Sequence, residues 1–183
     1  MIDFLIRSIA AGAMIAIACV ISLTLGNPIA SPILFSIGLL LICYRGYNLY
    51  TGKVGYIKSK KDFCNIWIIL AGNMIGVIIV SLVKHIDTTA MIVTKMSNPW
   101  YLTFINAVFC GWLMYVAVDT FKKGTPIGII CAVPAFIICG FEHSIADMYY
   151  FFNGQITVST MLTLLLIIVG NAVGANLHRL TKE

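Results

Sequence analysis

The sequence predicts an all-α membrane protein of six transmembrane helices, arranged as an inverted three-plus-three repeat with broken second and fifth helices. Three observations carry that expectation. Of the 183 residues, 60% are hydrophobic and 10% charged, against about 25% charged in an average soluble domain. The apolar residues gather into continuous runs close to the roughly 20 residues that a helix needs to cross a bilayer. Two of those runs are interrupted by glycine and polar residues. The runs are continuous rather than alternating, which excludes a transmembrane β-barrel.

The six runs are Phe4–Leu25, Pro32–Tyr50, Phe63–Val83, Tyr101–Phe121, Pro126–Phe141 and Val158–Leu177. The first is long enough to be a helix, and no small-residue cleavage site with a polar mature region follows it. It is therefore read as a span, not as a signal peptide. The second run carries Arg45, Gly46 and Asn48 and continues as Leu49-Tyr50-Thr51-Gly52. The fifth meets Gly140-Phe141-Glu142-His143 and continues from Ser144 to Tyr149. Each reads as a helix broken near mid-membrane and followed by a shorter one. Such backbone is tolerated only where it is buried in protein or lines a cavity.

The third and sixth runs each hold a Gly-Asn motif, Gly72-Asn73-Met74-Ile75-Gly76 and Gly170-Asn171-Ala172-Val173-Gly174. The glycines are expected to let helices approach closely. Asn73 and Asn171 are expected to satisfy the backbone groups freed at the breaks, with direct substrate contact as the second reading. Three helices per half, each half with a broken middle helix, imply an internal duplication, and the odd number makes it inverted. The chain is then a single transmembrane domain, residues 1–183, with halves of about 1–90 and 91–183. Paired interruptions of this kind point to the substrate site.

Basic residues set the orientation. With the N-terminus inside, Arg7, Lys53, Lys58, Lys60, Lys61, Lys122, Lys123, Arg179 and Lys182 fall on the cytoplasmic side, and only Lys84 and Lys95 on the other. Both termini are therefore expected in the cytoplasm, with the chain in a bacterial-type inner membrane and lipid around it. The net charge of +5 is accounted for by these loops, so no nucleic-acid partner is expected. The six cysteines lie in or beside apolar runs without CxxC or Cys/His spacing. They are read as packing residues, and neither a metal nor a cofactor is expected.

The candidate chemistry centres on Glu142 and His143. From Thr125 to Met148 the only charged side chains are Glu142 and Asp147, and an ionisable group at membrane depth costs on the order of 2.5–3.5 kcal/mol. His143 suits a proton shuttle or a hydrogen-bond donor to an anion. The plainer reading is that the pair only braces the broken backbone, and Glu142 either orients the imidazole or holds that backbone. Lys95 lies among apolar neighbours, so it is expected to dip into an outer vestibule and concentrate anions there, unless it is a plain surface lysine. Thr51 either faces the pore opposite His143 or caps the short helix that follows. Phe35, Leu39, Tyr50 and Phe136 are constriction candidates that can equally be packing. Arg45 within a span needs a partner, and Asp147 or Glu142 is the candidate for that charge pair.

These motifs resemble the formate/nitrite transporter family, pentameric channels for small monovalent anions. The resemblance runs from the first helix to the last. It is carried by Leu34–Leu39 with Leu49–Val54, by Gly72–Gly76, by Cys110-Gly111-Trp112-Leu113 with Ala117-Val118, by Gly170-Asn171 with Gly174, and most specifically by Phe136–Ala146. It implies an aquaporin-like fold and a homopentamer. It also implies that His143 is the central pore histidine with Glu142 beside it, Thr51 the loop threonine facing it, and Lys95 the vestibule lysine. Asn73 and Asn171 fall on loop-supporting asparagines, and Phe35, Leu39, Tyr50 and Phe136 on constriction positions, with Tyr50 where a Phe is usual. Gly111 and Asp147 stand where the family usually has Asn, and Arg45 where it is small or apolar. The first span begins almost at Met1 instead of after an amphipathic helix, so no N-terminal gate is expected.

The expected function is a channel or proton-coupled permease for formate, nitrite, hydrosulfide or short carboxylates. Lys95 attracts the anion, which takes a proton and passes the hydrophobic constrictions at His143 as the neutral acid. The alternative is a non-conducting membrane scaffold or sensor subunit, closed by an Arg45–Asp147 salt bridge. One His and one Glu supply no nucleophile, base and oxyanion set, so an enzyme is not expected.

Overall fold

The structure is a computed structural model and describes residues 1–181. Among these residues all regular structure is helical: α1 (Ile2–Leu25), α2 (Ala30–Arg45), α3 (Tyr50–Lys53) with a 3₁₀ turn at Val54–Tyr56, α4 (Lys60–Val83), α5 (Thr89–Met96), α6 (Trp100–Lys122), α7 (Ile127–Ile138), α8 (Ser144–Asn153), α9 (Val158–Leu177), and a 3₁₀ turn at His178–Thr181. Lys182, counted above among the cytoplasmic basic residues, lies outside the described residues, as does the side chain of Arg179.

Four helices, α1, α4, α6 and α9, are each long and apolar enough to cross a membrane. The second run is a bent pair: α2 and the α3 segment meet at 55°. The fifth run is likewise interrupted, with α7 (12 residues) and α8 (10 residues) flanking Cys139–His143. The six apolar runs thus appear as four continuous helices and two interrupted ones. α1 packs on α4 and α2, α6 packs on α9 and α7, and α2 meets α7. The interrupted helices occupy the middle, where Phe35, Leu39, Phe136 and Ile145 are buried. Large apolar side chains such as Ile37, Trp67, Phe109, Ile130 and Leu165 cover the outside instead.

Local sequence explains the ends. Ser59 and Asp62 form a reciprocal capping box at the start of α4, and Thr157 and Thr160 do the same for α9, satisfying amides that a helix start leaves unpaired. Within the helix pairs, backbones touch. A Cβ on Gly76 would lie 2.0 Å from the Ile9 carbonyl oxygen, and one on Gly174 would lie 1.8 Å from that of Val108. Only glycine admits that approach between α4 and α1, and between α9 and α6.

Both breaks use the same turn. Past α2, Gly46 has φ 64°; its N–H donates to Cys43 O (3.2 Å) while Tyr47 N–H donates to Ile42 O (2.9 Å). Past α7, Gly140 has φ 69°; its N–H donates to Ile137 O (3.1 Å) while Phe141 N–H donates to Phe136 O (2.9 Å). Each is a Schellman turn, with glycine in the left-handed conformation it adopts freely. One extended residue then precedes each new helix, Leu49 before α3 and His143 before α8.

A single asparagine braces each break. Asn73 accepts from Tyr50 N–H (2.8 Å) and donates to Asn48 O (2.8 Å) and Ser8 O (2.7 Å). Asn171 accepts from Ser144 N–H (2.9 Å) and donates to Glu142 O (2.8 Å) and Ala107 O (2.8 Å). All three of these hydrogen bonds made by each amide go to backbone. This accounts for the placement of both residues on the helices that pack against α1 and α6.

Arg45 is the last residue of α2, just before the turn, and it is exposed. Its side chain is not buried, so it does not require a buried partner. Among the described residues no ion pair joins it to Asp147, and that expectation is corrected here.

Asn171→Ala removes partners from one buried N–H and two carbonyls. At about 1–3 kcal/mol for each group left unpaired, it is expected to lower the thermal unfolding midpoint in detergent far more than Leu165→Ala on the exposed face. Equal shifts for the two variants would rule out the bracing role.

Candidate functional site

His143 is built into the break as the N-cap of α8. Its Nδ1 accepts from Ala146 N–H (3.2 Å), satisfying one of the amides a helix start leaves unpaired. A nitrogen that accepts carries no proton, so the ring proton of the neutral imidazole sits on Nε2. Nε2 lies 3.0 Å from Thr51 Oγ1, which lies in α3 beyond the other break. The two breaks therefore meet side chain to side chain. Both residues are buried, at 2% and 1% exposure. Phe136 stacks on the imidazole at 5.6 Å between ring centroids, and Phe35 meets Phe136 edge-on at 6.2 Å.

Two cavities flank this point. One, about 320 Å³, is lined by Phe35, Phe136, His143, Glu142, Asp147 and Lys95 among others. The second, about 380 Å³, is lined by Leu39, Leu49, Gly52, Lys53, Val118 and Lys122 among others. Phe35 belongs to the first cavity and Leu39 to the second, so along α2 one helical turn, about 6 Å, separates them. Tyr50, expected at a constriction, lines neither cavity. Its hydroxyl donates to Ile168 O (3.0 Å) in α9, making it a tether behind Thr51.

Lys95 comes from the short helix α5 and reaches the first cavity. Its ammonium pairs with Glu142 Oε2 and with Asp147 Oδ1, the latter at 2.9 Å, and lies 5.7 Å from the centroid of the Tyr150 ring. Burial works against the charged amine, but the Asp147 and Glu142 carboxylates outweigh it and hold Lys95 above the ordinary lysine range. It stays an ammonium throughout the physiological range. The sequence did not reveal these partners: two carboxylates face the one ammonium. Glu142 accordingly points at Lys95 rather than orienting the imidazole, while its backbone carbonyl is held by Asn171.

Residues 1–179 match the family model described as formate/nitrite transporter. The chain belongs to the formate/nitrite transporter family. Among curated relatives, this family member is 26% identical to the nitrite transporter NirC of Escherichia coli (strain K12), covering 82% of the chain and 68% of NirC. Two solved structures share its fold. An FNT family ion channel superposes with TM-score 0.86 at 23% identity, over 97% of this chain and 87% of its own. A pentameric formate channel with formate bound superposes with TM-score 0.87 at 19% identity, over 98% and 94%. With its four long apolar helices, the chain is an integral membrane protein of a transporter family.

The fold of this transporter-family protein brings Thr51, Lys95, Glu142, His143 and Asp147 to one centre, places Asn73 and Asn171 behind it as braces, and leaves Arg45 outside it. Sequence reasoning missed Tyr150, which covers Lys95, and Asn48, whose amide donates to Phe4 O (3.2 Å). Tyr150 lies one turn beyond Asp147 on α8, and that helical spacing was the available signal.

Lys95→Met leaves two buried carboxylates facing each other. Breaking a buried pair on one side typically costs about 3–5 kcal/mol. The variant is expected to unfold at markedly lower temperature, and Lys95→Met/Glu142→Gln/Asp147→Asn to recover most of the loss. Failure of the triple variant to recover would refute the charge-pairing account.

Proposed function

We propose that this protein is a channel or proton-coupled permease for small monovalent anions and their weak acids, such as formate, nitrite, hydrosulfide or short carboxylates. The observation that carries this reading is the His143–Thr51 contact between the two breaks, enclosed by Phe35 and Phe136 and flanked by two cavities. An anion leaving either cavity for this dry gap loses water, which disfavours its charged form and raises its pKa. It takes a proton from the water of the cavity, crosses as the neutral acid, and returns that proton to water on the other side. His143 acts as a hydrogen-bond donor through Nε2. A shuttle would require a second ring proton on Nδ1, and that nitrogen is committed to Ala146 N–H. On the far side the acid ionises again beside Lys53 and Lys122, whose positive charge favours the anion.

The architecture that goes with this reading has six spans in an inverted three-plus-three repeat, one transmembrane domain over residues 1–183. The asparagine braces and Schellman turns that recur at the two breaks support it. A homopentamer is supported by the pentameric assembly named for one structural relative and by the apolar outer faces. The distribution of Lys and Arg supports a bacterial inner membrane with both termini cytoplasmic. The non-conducting alternative relied on an Arg45–Asp147 closure, and Asp147 is paired with Lys95 instead.

The test is stopped-flow influx of formate and nitrite into proteoliposomes. A neutral hydrogen bond is worth about 0.5–1.5 kcal/mol, so His143→Ala is expected to slow influx by several-fold, up to about tenfold. Thr51→Val is expected to slow it less, because His143 keeps its donor. If wild-type protein carries no small anion at all, the transport reading is wrong.

A further inference from the structure

The Lys95 cluster has two carboxylates and one ammonium. Glu142 and the Oδ1 atom of Asp147 share Lys95, but Asp147 Oδ2 has no hydrogen-bond partner. The Asp147 side chain is 1% exposed and lines the same cavity as Lys95. A buried, ionised carboxylate normally fills its acceptor positions, and an oxygen that no protein group donates to disfavours the charge. Among the described residues no side chain donates to Asp147 Oδ2. The other groups around Asp147 are the Tyr150 phenol, the Cys19 and Cys110 thiols, and the His143 ring. The phenol and thiols carry no positive charge, and the His143 ring is neutral with Nδ1 already accepting. Lys95 is the one cation on any of these elements that touches the carboxylates.

We propose that Asp147 holds one exchangeable proton on Oδ2 and thereby sets the charge of the Lys95-side mouth. The carboxylate takes a proton from the aqueous phase on that side and becomes a neutral acid. The cluster is then Lys95 ammonium against Glu142 carboxylate, with net charge zero. Loss of that proton to water returns the carboxylate and leaves the mouth at one net negative charge. This deepens the anion-transport reading and rests on it for its consequence: entry is favoured below the pH at which Asp147 ionises and suppressed above it. One extra negative charge about 6 Å from an entering anion, at an effective dielectric near 20, is enough to lower occupancy by tenfold or more.

Two measurements decide it. The first needs no transport. A pH-difference infrared spectrum of the reconstituted wild-type protein is expected to contain the carbonyl stretch of one protonated, buried carboxylic acid. Carboxyl-¹³C aspartate should shift that band, and Asp147→Asn should abolish it. Isotope labelling leaves the wild-type chain intact, so the result stands even if a variant folds poorly. No such band at any pH, or a band insensitive to labelled aspartate, overturns the proposal. The second is the ratio of Asp147→Asn to wild-type influx, which cancels the substrate's own titration. It is expected to rise about tenfold from acid to alkaline pH, because the amide keeps the mouth permanently neutral. A ratio that does not change with pH overturns the charge-setting role. Absence of influx in the wild-type protein would refute the transport reading, while the infrared band would still decide where the proton sits.

Discussion

A backbone amide or carbonyl that leaves a helix inside a bilayer finds no water, and leaving it unpaired costs several kcal/mol. This chain breaks two helices where the backbone is buried in protein, and most of what is particular about it follows from how those breaks are satisfied. Glycine at 46 and 140 turns each chain out of its helix while keeping the last carbonyls bonded. Asn73 and Asn171 then collect the remaining groups, each fastening a break to a long neighbouring helix. Gly76 and Gly174 follow from this, because the helices bearing the asparagines must come close enough for a short side chain to reach.

The chemistry grows out of the same constraint. α8 begins buried in the protein and its first amides need an acceptor, which His143 supplies with Nδ1. That structural duty fixes the ring, its tautomer and the direction of its single N–H. The functional and structural readings of His143 are therefore one reading. An imidazole with one nitrogen committed to the backbone is a pre-oriented donor, and the Phe136 ring stacked on it keeps it in place.

Much of this was legible in the sequence, for identifiable reasons. Apolar runs of spanning length and glycine interruptions are one-dimensional signals, so the helices and both breaks fell where expected, with only a few residues of difference at the ends. The charge partners were not legible. Lys95 and Asp147 are far apart in the chain, and only the dip of α5 towards α8 joins them; an apolar stretch around Lys95 signals burial but not what it faces. Arg45 looked stranded because the run continued past it, yet the Schellman turn at Gly46 ends the helix there and leaves the side chain exposed. Tyr50 was placed by its neighbours in sequence, while its hydroxyl was claimed by the Ile168 carbonyl from the other end of the chain.

That tether has a mechanical consequence. Among the hydrogen bonds that stitch the segment after the first break to the later part of the chain are three: Thr51 to His143, Tyr50 to the Ile168 carbonyl, and the Val54 carbonyl to Asn176 Nδ2 at 3.3 Å. A cycle that rocked one group of helices against the other would have to shear all three at every turnover. A lumen that stays still and lets its occupant change protonation keeps them intact. Under the proposed function, such a frame makes speed a matter of how readily a small solute sheds and regains water, not of how fast the protein moves.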